Sequence, residues 1–248
     1  MTQATELIPG IYNYCDSWCE RCPFTKRCQS FKLQYPEGIP QEDMDAETLV
    51  KRLMEALQMT KAYIAKHQKK ELPEHMQTAL EAKAAGVHET DTLERPSVAA
   101  LCDQYLNTTA SWLKAEMNLL EQAGHQQAFE VNIGVRTEAE AMTMLNGLKD
   151  AWEVIKWYRT LIPVKVMSAL QLRRAPTNDP QLSAYFNGKA KLVLVSVDKS
   201  LAAWHTLLEH YPEKMDEVLD MLVLLDRIRR QMTEQFPQAR EFRRPGLD

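Results

Sequence analysis

TEAEAMTMLNGLKDAWEVIKWYRTLIPVKVMSALQLR, residues 137–173, carries the longest helical pattern in the chain. Thr137, with Glu140 three residues on, forms a capping-box signature, in which two side chains satisfy amides that the first turn leaves without partners. Pro163 lies inside the pattern. It has no amide hydrogen and crowds the preceding turn, so it is expected to kink or split the helix.

The pattern extends on both sides. APTNDP (175–180) reads as a turn. Helix resumes near 181 and runs to Tyr211, with Gly188 as a candidate break; Pro212 separates it from a last helix, 213–235, closed by Pro237. The tail 238–248 is basic and expected to be irregular. Upstream, 97–123 reads as a helix with Ser97 near its start, Gly124 at its stop, and Leu101, Tyr105, Thr109, Leu113 and Leu120 on one stripe. Between them, 125–136 holds the alternating run AFEVNIGV. One strand cannot make a sheet, so this segment is expected to be loop. Residues 44–69 keep Leu49, Leu53, Leu57 and Ile64 at helical spacing behind a candidate cap, Asp45. Residues 84–96 are polar, contain Gly86 and Pro96, and read as a linker.

These elements predict an all-α fold: an antiparallel bundle of about five long helices with an N-terminal cysteine-rich metal-binding loop docked at one end. The expected division is a cysteine region, 1–40, and a bundle, 41–248. Composition agrees, because the 248 residues include only eight glycines and are rich in good helix formers. No apolar run approaches the roughly 20 residues that cross a membrane. The N-terminus has neither the basic nor the apolar region of a secretory signal, so a cytoplasmic location is expected. The net charge of −4 argues against a general nucleic-acid binder. The local basic groups, Arg173–Arg174, Arg227–Arg230 and Arg240–Arg244, read as solvated helix faces or tail.

Cys15, Cys19, Cys22 and Cys28 lie within YCDSWCERCPFTKRC, at C-x3-C-x2-C-x5-C spacing; Cys102 is the fifth cysteine and reads as a small buried hydrophobe. In a reducing compartment such clustering favours a metal over disulfides. Thiolates select zinc, iron–sulfur clusters or cuprous copper. Zinc sites usually pair two separated C-x2-C knuckles, whereas one short wrapping segment suits a [4Fe–4S] cluster; Zn2+ is the alternative. Tyr12, Tyr14, Trp18 and Phe24 interleave with the ligands and could shield a cluster from water or pack the loop on the bundle.

The Cys19–Cys22–Cys28 spacing resembles the last three ligands of the [4Fe–4S] loop in the endonuclease III family of DNA glycosylases. It is also similar to part of the auxiliary-cluster motif of SPASM-type radical enzymes, including the proline after the second cysteine. Cys15-x3-Cys19-x2-Cys22 has the spacing of the radical-SAM triad. These resemblances cover fourteen residues and imply cluster ligation. They do not extend to activity: the glycosylase loop has a longer first spacing and follows a helix-hairpin-helix, of which LIPGI (7–11) keeps little, and a radical-SAM core needs many strands. With Cys28 filling the fourth position no iron is left open to substrate, so the expected role is that of an electron carrier or redox sensor with a protein redox partner.

A second set of candidates lies in the helices. The segment 191–211 is apolar almost all round, which marks a central helix. Asp198, His205 and Glu209 share one stripe of it, and Lys165, Glu153 and Glu116 lie on other helices. They could hold metal or do acid–base chemistry inside the bundle, or form a salt-bridge network. The Glu-x-x-His pairs of di-iron bundles are missing. The other histidines suggest nothing specific. No Walker loop, Rossmann fingerprint, nucleophile elbow or zincin motif occurs. An electron-transfer or redox-sensing protein is therefore the leading expectation, ahead of a zinc-stapled helical interaction module and of a bundle metalloenzyme.

Overall fold

The computed structural model describes residues 6–36, 97–173 and 180–248, together with positions 38, 54 and 58. The chain divides into two compact units, residues 1–29 with 95–248, and residues 30–94. In the second unit the described residues include most of a short helix, α1 (Gln29–Gln34), and the helical positions Met54 and Gln58. The rest of the expected helix 44–69, the boundary near residue 40 and the linker 84–96 lie outside the described residues.

The first unit contains α2 (Ser97–Ala115), α3 (Leu119–Asn132), α4 (Glu138–Arg173), α5 (Pro180–His210) and α6 (Met215–Gln235). There is no strand among the described residues. Helices α2 and α5 each pack against both α4 and α6, which makes a four-helix ring; α3 packs on α4. Helices α2 and α6 run antiparallel. Ser97 bonds Gln231, Thr109 meets Met221 and Trp112 bonds Glu217, so α6 recedes as α2 advances.

A seven-residue recurrence explains the ring. On α4 the buried positions Ala141, Leu148, Ile155, Ile162 and Ala169 repeat every heptad, and on α6 Val218, Met221, Leu225, Ile228 and Met232 alternate steps of three and four. This is the spacing that keeps one stripe of a helix facing its partners along a bundle. Segment 191–211 is central as expected, with Val193, Val197, Trp204 and Leu207 buried. The hydroxyls of Ser196 and Ser200 are buried too, and each donates to a carbonyl one turn back.

Three local expectations change. Pro163 does not split the pattern: it sits within one continuous α4, with Ile162 and Val166 on either side buried. The helix begun at Ser97 ends at Ala115, and Gly124 lies inside α3. The expected loop 125–136 is largely helix: Leu119, Ala123 and Gln127 recur every four residues and are buried, while the apolar Phe129, Ile133 and Val135 are exposed. The stop is Gly134, at φ 74°, a left-handed conformation that glycine adopts without side-chain strain.

The capping box at 137 is formed. The Thr137 amide donates to Glu140 Oε2 at 2.9 Å, and the Glu140 amide donates to Thr137 Oγ1 at 3.3 Å. Thr137→Ala is expected to cost about 1 kcal/mol. Urea unfolding should show a lower midpoint with unchanged slope; an unchanged midpoint would mean that the cap adds nothing to the packed helix.

Candidate metal centre

Short 3₁₀ turns build the cysteine segment. Ile11–Asn13, Cys19–Arg21 and Thr25–Arg27 are such turns, and Cys22 and Cys28 follow the last two directly. The Cys22 amide donates to the Cys19 carbonyl at 3.2 Å; residues three apart in such a turn stack on one side. The ends of the segment are tied by the Ile8 amide, which donates to the Arg27 carbonyl at 3.0 Å.

No disulfide joins any of the five cysteines. Burial, and then negative charge on Cys15, Cys22, Glu20 and Cys28, pushes the Cys19 thiol up to about 11. Burial raises Cys22 as well, against a hydrogen bond from the Phe24 amide, with Cys15 and Cys28 adding to the rise. The four sulfurs therefore share one electrostatic neighbourhood, where joint ionisation calls for positive charge. Among the described residues, no three His, Cys, Asp or Glu side chains are gathered round one point as a single metal ion requires. Cys102 is buried in the bundle core, as expected.

Asp16 fastens the segment to the bundle. Its carboxylate accepts from the Tyr158 hydroxyl of α4 and, at 3.3 Å, from Lys199 of α5; Lys199 also donates to the Tyr158 oxygen at 2.9 Å. Burial would raise the Asp16 carboxyl, but the Tyr158 bond, the Lys199 charge and the Trp18 amide outweigh it and hold it below the usual range. Burial and then Asp16 push the Tyr158 hydroxyl up. Ser17 makes this geometry with φ 59°, the one positive φ among described non-glycine residues. The turn carries Trp18 onto Trp157, stacked at 4.9 Å, and the Trp157 indole donates to the Asp16 carbonyl at 3.1 Å. Arg21 lies over the Trp18 ring, 4.1 Å from its centroid, and pairs with Asp150 at 2.5 Å and with Glu153.

The tail closes the other side. Phe242 packs on Tyr14 with centroids 4.9 Å apart, and both rings lie against Gly188. A side chain here would collide with them, so Gly188 is a docking position within continuous α5 rather than the expected break. Lys191 donates to the carbonyls of Arg240 and Phe242, and with Arg244 it holds Asp248, whose carboxyl these bonds lower. The tail is without helix, as expected, but two of its cations are engaged: Arg240 grips Asp198 at 2.5 Å and Arg244 grips Asp248 at 2.7 Å. Arg229 and Arg230 pair with Asp226 on an α6 face, as solvated-face residues do.

Two lysines face the segment from the bundle. Lys189 donates to the Asn13 carbonyl at 2.6 Å. Half-buried Lys165 is lowered by burial and by Lys189, against the opposing charges of Cys15 and Asp16. The charges that act on Lys165 are thus those of Lys189, Cys15 and Asp16 and not those of the other bundle candidates.

The remaining bundle candidates are not brought together. Glu116 takes Lys214 at 2.6 Å, Glu153 takes Arg21, and Asp198 takes Arg240. His205 and Glu209 are exposed and face each other at 3.4 Å on the surface. The expected stripe is a set of separate ion pairs, because Trp204 and Leu207 turn the apolar face inward and leave these side chains outside.

Sequence reasoning missed Asp16, Tyr158, Lys199, Arg21, Lys189 and Arg244. The legible signal was Asp16-Ser17, a side-chain-capped turn between two ligand candidates. Lysines 189, 191 and 199, in an otherwise apolar helix, were a second one. Compared with known proteins, the chain matches no family model, and no curated protein or solved structure is significantly similar to it. No helix among the described residues is long and apolar enough to cross a membrane.

Proposed function

We propose that this chain is a cytoplasmic iron–sulfur protein in which Cys15, Cys19, Cys22 and Cys28 hold a [4Fe–4S] cluster that transfers electrons or senses redox state. The observation that carries the reading is the shared neighbourhood of four thiols in one short loop, faced by cations from both flanking helices. A thiolate-ligated cube is anionic, and Lys165 and Lys189 are placed to offset that charge, whereas Arg21 and Lys199 are already paired with carboxylates. A cube anchors each thiolate to a different iron, so it does not need four sulfurs at one point. The Phe24 amide aimed at Cys22 is the kind of bond that tunes a cluster's potential.

In this reading Asp16, Tyr14 and the tail hold the loop in place, and Trp18 limits water access. The cluster would supply one-electron chemistry. Four protein thiolates leave no iron open to substrate, which favours electron transfer over Lewis-acid catalysis.

Iron and acid-labile sulfide, measured on protein purified without oxygen, test the proposal. About four of each per chain are expected, with visible absorption that bleaches on reduction. Replacing Cys19 or Cys22 with serine should remove most of the iron and leave Glu116, His205 and Glu209 unaffected. One zinc without sulfide would sink the redox reading in favour of a metal-stapled module, and iron that survives loss of the cysteines would favour a site in the bundle.

A further inference from the structure

Between the cysteine segment and the bundle lies a cleft of about 610 Å³. That is within the range of small-molecule sites. Its floor is made of small residues on two helices, Gly147 and Ala151 of α4 with Ala202 and Ala203 of α5. A Cβ built on Gly147 would meet nothing within 4 Å, so the space there is open. Trp18 and Phe24 supply aromatic surface, and Cys15 and Cys22 line the side toward the thiols.

The polar lining presents donors. Its two acids are already committed, Asp150 to Arg21 and Asp16 to Tyr158 and Lys199. Lys199 has three protons and gives two of them to Asp16 and Tyr158. Arg244 gives Nε and Nη2 to Asp248 and lines the cleft. A ligand entering here meets a flat apolar bed, with an ammonium and a guanidinium at its edge and no unbalanced carboxylate.

We infer that this cleft binds a small organic acid, its flat apolar body on the glycine–alanine floor beside Trp18 and Phe24 and its anionic group on Lys199 and Arg244. The site stands on these side chains alone. If the thiols carry the proposed cluster, the cleft opens beside two of its ligands, Cys15 and Cys22.

The test is calorimetric titration of the full chain, purified without oxygen, with 2-naphthoate and with its neutral isostere 2-naphthamide. One saturable site for naphthoate is expected, with the amide about tenfold weaker because it loses charge-assisted bonds. Lys199→Gln should weaken naphthoate by a similar factor. Gly147→Leu combined with Ala202→Phe, both at exposed positions, should abolish binding while circular dichroism and melting stay as in the parent. Absence of saturable heat, or undiminished binding in the filled cleft, would overturn the site; equal affinity for acid and amide would overturn the assignment of an acid. Iron and sulfide are measured on the same sample. Naphthoate binding without iron would therefore keep the cleft and remove the cluster, and iron without binding would do the reverse.

Discussion

Gly188→Leu is expected to free the cysteine segment from the bundle. The Cβ alone would stand 2.3 and 2.6 Å from two Tyr14 ring carbons and 2.8 Å from a Phe242 ring carbon. Neither ring can step aside cheaply. Tyr14 is held between Phe242 and Tyr185 with Lys189 over its face, and the Phe242 carbonyl accepts from Lys191 at 2.6 Å. Overpacking a settled contact costs about 1–3 kcal/mol, and here two aromatic rings and the backbone behind each must move, so about 3 kcal/mol is expected. The damage should be local, because Gly188 touches loop and tail while the heptad positions of α4 and α6 lie elsewhere. Limited trypsin digestion reads it: cleavage after Lys26 and Arg27 should accelerate well before the bundle melts. Gly188→Ala should fall between parent and leucine variant. Parent-like digestion of the leucine variant would show that the docked rings do not hold the loop.

The helices were legible because their signals are local. The capping box at Thr137, Pro212 before the last helix and the apolar run 191–211 each report on the residues beside them, and each lies where it was expected. The errors came where one local signal was read without its burial. Phe129, Val131 and Ile133 alternate like a strand, yet the four-residue stripe of Leu119, Ala123 and Gln127 faces the core and decides the helix. Gly188 and Pro163 look like breaks one residue at a time, but the packing of their neighbours overrides propensity.

The candidate site was legible in its cysteines and in the aromatic residues between them, of which Tyr14 and Trp18 pack the loop on the bundle. Its other members are joined across more than a hundred residues: Asp16 to Tyr158 and Lys199, Arg21 to Asp150, Tyr14 to Phe242. No spacing rule connects such positions, since their meeting depends on which end of which helix the loop covers. The bundle stripe failed for a related reason. Steps of seven and four put Asp198, His205 and Glu209 on one side of α5, but spacing alone does not say whether that side faces the core. Trp204, one residue before His205, takes the inward direction.

Trp204→Ala should do the opposite of the Gly188 variant, lowering global stability while the folded molecules keep the loop docked. Trp204 is fully buried, stands edge-on to Trp112 at 4.9 Å, and donates its indole N–H to Tyr105 at 3.2 Å. Removing a large buried aromatic costs about 3–5 kcal/mol, from lost transfer energy and from the cavity left behind. The hydrogen-bond share is small, because the Tyr105 hydroxyl also has Ser200 and Thr109 within reach. For a chain of this size that cost lowers the melting temperature by about 10 °C or more. Trp204→Phe keeps most of the packing and should recover about half the loss. The loop anchors do not pass through Trp204: Asp16 is held by Tyr158 and Lys199, and Tyr14 sits on Gly188. Well below its midpoint, the alanine variant should therefore show parent-like resistance to trypsin at Lys26 and Arg27. Early cleavage there would mean that the loop is held by the bundle's overall stability and not by its own anchors, and the local account of Gly188 would fall with it.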